Sequence, residues 1–90
     1  MIKSFLIRVS GDVQGVSFRY LAKKEAKRLG LAGWAKNEHD GSVSVFIQGD
    51  PEKAQEFVTW AKDGSPMATV EEVRVEVADM DEAIKDFEVK

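Results

Sequence analysis

The chain has 90 residues, with 13 Lys plus Arg against 16 Asp plus Glu, a formal net charge of −3, and no cysteine. That length suits one small domain, residues 1–90, and the missing cysteine removes disulfides, thiolate metal sites and a cysteine nucleophile. The mildly acidic balance weighs against a nucleic-acid surface, and the opening MIKSFLIRVSG carries neither a signal-peptide core nor a membrane span, so a cytoplasmic setting is expected.

In chain order, SFLIRVS alternates Phe5, Ile7 and Val9 against Leu6 and Arg8, which predicts a strand over residues 3–10. Apolar residues at 18, 21, 22, 26 and 29 make the stripe of an amphipathic helix from Phe18 to Leu29. Gly30 supplies its left-handed stop, and Leu31 is placed for a Schellman cap. GWAKNEHDGSVSVFIQGD predicts a hairpin turned at Asp40-Gly41, with Val43, Val45 and Ile47 alternating after it. A second helix opens on Asp50 as N-cap with Pro51 at the first helical position, buries Ala54, Phe57, Val58 and Ala61, and closes at DGSP. TVEEVRVEV alternates at Val73, Val75 and Val77; Val70 is out of parity, so pairing is expected to begin after it. A short strand fragment, DFEVK, ends the chain. The order β-α-β-β-α-β gives an α+β, ferredoxin-like sandwich with two helices on one face of an antiparallel sheet.

The connector GDVQGVSFRY has more backbone freedom than a turn and helix cap require, and it ends on a fixed cation. A glycine-bearing loop feeding a helix N-terminus can gather unpaired N–H groups into an anion cradle. Arg19, in the first turn of that helix, can add a two-pronged clamp of the kind phosphate favours. It sits there against the helix dipole, at a cost of a few tenths of a kcal/mol. The spacing fits neither a P-loop nor a dinucleotide fingerprint, and the residues by themselves also suit a long loop with an incidental surface arginine. Asn37, near the end of the second strand, suits turn geometry, but it could also orient a water beside that loop.

His39 stands alone in an exposed turn, and no ligand cluster has metal-site spacing. Serines 10, 17, 42, 44 and 65 lack a base partner, and Trp34 and Trp60 suit packing better than base stacking. What remains is one arginine, backbone donors and an amide. That set can stabilise a phosphoryl transition state where the leaving group departs unprotonated, as a carboxylate does, so a mixed carboxylic–phosphoric anhydride is the substrate class it permits.

The segments GDVQGVSFR, AKRLGLAGWAKNEHDGSVSVFIQG and DGSPMATVEEVRVE together resemble the acylphosphatase family across nearly the whole chain. The resemblance implies hydrolysis of acyl phosphates to carboxylate and inorganic phosphate without metal or cofactor. It implies that Arg19 and the N–H groups of the loop Val13, Gln14, Gly15, Val16, Ser17 and Phe18 hold the phosphate, and that Asn37 orients the attacking water. It further implies a monomer acting on a small molecule, with phosphate as product and competitive inhibitor, and with neither nucleic acid nor membrane as partner. The chain departs from the commoner pattern at Ser17, where Gly or Cys is frequent, at Ala35, at GSP in place of GPP, and in its weak final strand. The alternative is a non-catalytic acylphosphatase-like module that binds a phosphate or carbamoyl group.

Overall fold

A computed structural model describes residues 1–64 and 66–90, so the predicted helix stop at DGSP and the expectation for Ser65 fall partly outside the described residues. The elements run β1 (Lys3–Asp12), α1 (Phe18–Arg28), β2 (Ala32–Asn37), β3 (Val43–Gly49), α2 (Pro51–Asp63), β4 (Thr69–Ala78) and β5 (Phe87–Val89). The strands form one sheet in the order β4-β1-β3-β2-β5. The first four pair antiparallel, whereas β5 runs parallel to β2, so the sheet is mixed and not wholly antiparallel. A parallel partner requires a long return, and residues 79–86 carry the chain from the β4 edge to the opposite one.

The core lies between the sheet and both helices. Ile7, Val9, Val43, Val45, Ile47 and Ala35 meet Phe18, Ala22 and Ala26 of α1 and Ala54, Phe57, Val58 and Ala61 of α2. The expected stripes are therefore the buried ones, with Leu21 only half-buried. Trp60 joins the two helices, its ring 5.4 Å from Phe18 and 5.5 Å from Phe57. The helix boundaries follow local chemistry. Asp50 Oδ1 accepts from the Glu52 N–H at 2.8 Å, and α1 ends with Leu31 N–H on the Ala26 carbonyl and Gly30 N–H on that of Lys27, the two bonds of a Schellman cap.

β3 is buried on both faces, beyond the simple alternation expected of it. On the face away from the helices Phe46 stacks on Trp34 at 6.0 Å, and Gln48 pins the crossing segment. The Gln48 side chain donates to the carbonyls of Asp81 and Ile84 at 2.8 and 3.1 Å and accepts from the Asp81 N–H at 3.0 Å and the Ser4 hydroxyl at 3.1 Å. A buried amide with all these partners carries no unpaired-polar penalty.

β4 corrects one expectation. Pairing with β1 begins at Thr69, not after Val70, because Ser10 faces Glu72 while Gly11 faces Val70, leaving Glu71 as the extra residue of a bulge. The bulge resets parity, so Val70 and Val73 both pack against the core. Val75 and Val77, which share Val73's parity, are 43% and 81% exposed at this sheet edge.

Gly11 of β1 lies opposite this bulge, where the chain passes into the loop that follows. Its φ is 128°, and a Cβ there would run into the main-chain carbonyl oxygen of Thr69. Gly11→Ala is expected to lower stability by about 3 kcal/mol or more, since both backbone strain and a backbone clash must be relieved. Denaturant melts measure this directly, and a loss below about 1 kcal/mol would contradict it.

The β2–β3 turn is held by Asp40, whose Oδ1 accepts from the Ser42 hydroxyl at 2.6 Å and the Ser42 N–H at 2.9 Å. Those bonds, the hydroxyl's first, with a weaker pull from Arg8, hold the Asp40 carboxyl below its usual value. Its contribution to stability is therefore complete above the ordinary aspartate range and disappears as pH falls through the lowered folded value. The stability difference between the wild type and Asp40→Asn should shrink as pH is taken from about 6 to below about 3, spanning the usual aspartate range. A difference that stays constant over that span would contradict this account of the turn.

Candidate active site

The loop between β1 and α1 alternates what it buries. Val13 and Phe18 are buried and Val16 packs against the core, while Gly15 and Ser17 are exposed. Three apolar anchors in six residues fix a loop that has no ladder partner of its own. Two residues take left-handed backbone, Gly15 at φ 74° and Ser17 at φ 64°, ψ 17°. Glycine adopts this conformation freely, but serine does so at a cost of about 1–2 kcal/mol. Ser17 is also the N-cap of α1, yet its side chain makes no capping bond.

The backbone of this loop is left unpaired. Among the described residues, no main-chain N–H from Gln14 to Tyr20 meets a main-chain acceptor; the first to do so is Leu21, on the Ser17 carbonyl at 3.0 Å. The first turn of α1 contains no acidic side chain. A run of free N–H groups at a helix start, flanked by residues in left-handed backbone, can take an anion.

Arg19 lies beside this run, half-buried, and its Nη1 donates to the main-chain oxygen of Lys90. The Lys90 N–H donates in turn to the Ala35 carbonyl of β2 at 2.8 Å. The guanidinium is thus held against β5, with four of its five N–H donors left over. The Lys90 ammonium sits 5.0 Å from the centre of the Trp34 ring on the same strand pair. The entry to β5 is fixed by Asp86, which accepts from the Phe87 N–H at 2.8 Å and from Lys27 at 3.3 Å. These contacts, the Phe87 N–H first, hold its carboxyl below the usual value.

Asn37 is the last residue of β2, exposed, and opposite Val43 in the ladder. The loop and the start of α1 are tied to the chain on both sides of it. Arg19 is tied through Lys90 to Ala35, and the Gln14 side chain donates to the carbonyls of Glu38 at 2.8 Å and Ser42 at 2.9 Å. The structure therefore brings the loop Val13–Phe18, Arg19 and the flanks of Asn37 together, and it leaves His39 exposed. Among the described residues no group of three or more His, Asp or Glu side chains could hold a metal ion.

Two participants escape sequence reasoning. The Gln14 side chain points to the hairpin, and nothing local marks a loop glutamine as a long-range donor. Lys90 takes part through its backbone, which side-chain chemistry cannot reveal.

A family model for acylphosphatase matches residues 5–89. A curated acylphosphatase from Nocardioides sp. is 48% identical over 84 residues, which cover 93% of this chain and 84% of that one. Among solved structures, the acylphosphatase of Bacillus subtilis superposes with a TM-score of 0.92 at 38% identity, covering 100% of this chain and 99% of its own. One from Coxiella burnetii gives 0.94 at 34% identity, covering 99% and 93%. With a glycine-bearing loop, a helix start and an arginine arranged as above, and relatives matched over almost their full length, the chain belongs to the acylphosphatase family.

Proposed function

We propose that this chain hydrolyses acyl phosphates to a carboxylate and inorganic phosphate, with the loop N–H groups and Arg19 holding the phosphate and Asn37 orienting the attacking water. Family membership supports the reaction. The unpaired N–H run from Gln14 to Tyr20, with Arg19 beside it, is the observation that supports the residue assignment.

In this reading the phosphoryl oxygens sit on the loop N–H groups, and Arg19 turns two parallel donors to them. Charge spreads over the equatorial oxygens in the transition state, and fixed donors there need no reorganisation. The Asn37 amide accepts a hydrogen bond from the water and aims its lone pair at phosphorus, in line with the bond to the acyl oxygen. The water oxygen bonds to phosphorus, the phosphorus–acyl oxygen bond breaks, and its electron pair leaves on the carboxylate. The water's proton passes to phosphate or solvent. A carboxylate leaves without protonation, so the site needs no general acid and, in this reading, no metal. The chain acts as a cytoplasmic monomer on a small molecule, with phosphate as a competitive inhibitor and no nucleic acid involved. Among the described residues no helix is long and apolar enough to cross a membrane.

Two variants test the assignment with benzoyl phosphate as substrate. Arg19→Lys keeps the charge and loses the planar fork, and it should lower kcat/KM by roughly 10²-fold or more while weakening inhibition by phosphate. A folded Arg19→Lys protein with near-normal kcat/KM would remove Arg19 from the clamp. Asn37→Ala should lower kcat and kcat/KM together and leave KM and phosphate inhibition nearly unchanged, because the amide acts on the water and not on the bound phosphate. Full turnover in Asn37→Ala would rule out the water-orienting role and leave Asn37 as a turn residue.

A further inference from the structure

We infer that Gln14 is a positioning residue that sets the distance and angle between the phosphate loop and Asn37, an inference that rests on the roles proposed above. The topology creates the need. The loop leaves β1, Asn37 ends β2, and β3 lies between them in the sheet, so no ladder bond joins the two directly. Loop and hairpin tip each extend past the last pair of their own ladders. Near-attack geometry tolerates little error, and a misplacement of about 1 Å can cost roughly 10²-fold in rate.

Gln14 spans this gap with one amide nitrogen. Its two hydrogens go to the carbonyls of Glu38, which follows Asn37, and Ser42, which precedes Asn37's ladder partner Val43. Two bonds from one planar group fix orientation as well as distance. Both acceptors are satisfied without it: the Ser42 carbonyl also takes the Glu38 N–H at 2.8 Å, and the Glu38 carbonyl takes the Gly41 N–H at 3.2 Å. Removing the amide therefore strands no buried acceptor, and the hairpin keeps its own closure. What it removes is the cross-link between two otherwise independent loops. Arg19 is tethered separately, through Lys90, so loss of Gln14 leaves the clamp in place.

The test is a double-mutant cycle between Gln14→Met and Asn37→Ala, read as kcat for benzoyl phosphate and Ki for inorganic phosphate. In the wild-type background Gln14→Met should lower kcat by about 10- to 100-fold with Ki changed by less than about threefold. In the Asn37→Ala background the same change should lower kcat by less than about threefold, since the group being aimed is absent. An equal loss in both backgrounds, or a rise in Ki matching the fall in kcat, overturns the inference while leaving the water role of Asn37 standing. Full activity of Asn37→Ala alone overturns the water role and the inference with it. A second variant, Gln14→Glu, keeps the length and shape but points a carboxylate at two carbonyls. Protonation restores one donor, so its activity relative to wild type should rise as pH falls, and a flat ratio counts against the cross-link.

Discussion

The structure depends on holding a glycine-bearing loop from β1 in fixed register with the tip of β2, across a strand that belongs to neither. Everything near the site serves that constraint. Val13, Val16 and Phe18 sink the loop into the core from below, and the Gln14 amide grips the hairpin on one side of Asn37. On the other side Arg19 reaches Lys90, which is laddered to Ala35. Even the distant segment 79–86 belongs to this arrangement, because Gln48 fixes the path by which β5 arrives beside β2.

The loop itself is a region of stored cost. Ser17 is held in a left-handed conformation that serine disfavours, and a run of N–H groups has no internal acceptor. Such features persist only where the surroundings over-determine them. Here the surroundings are a core in which Phe18, Phe57, Ile7, Ile47 and four valines are under 2% exposed. Burying such side chains contributes about 1.5–3 kcal/mol each, enough to offset a strained residue. An anion seated on the loop would take up those donors, as the proposed phosphate cradle requires.

Periodicity made the helices legible, since an apolar stripe closed by Gly30–Leu31 or opened by Asp50–Pro51 is locally determined. The second buried face of β3 is less so, because Gln48 is polar and owes its burial to a segment more than thirty residues away. The register of β4 is not legible for a definite reason: a bulge at Glu71 adds one residue, and parity cannot reveal an insertion. The parallel pairing of β5 is not legible either, because three residues carry no direction of their own. At the site, residue type and spacing leave Arg19 and the loop as either an anion cradle or a plain surface loop, and Asn37 as either a turn residue or a water-orienting amide; the resemblance to acylphosphatases supplies the roles. The Gln14 and Lys90 contacts are not legible, because each depends on where the chain returns in space.

The most direct measurement is a crystal structure of the protein with inorganic phosphate bound. The account predicts an anion whose oxygens lie about 3 Å from at least two main-chain nitrogens between Gln14 and Tyr20 and from two nitrogens of Arg19, with the Asn37 amide facing the phosphorus from the opposite side. Phosphate bound elsewhere on the chain at saturating concentration, with those nitrogens still empty, would contradict it.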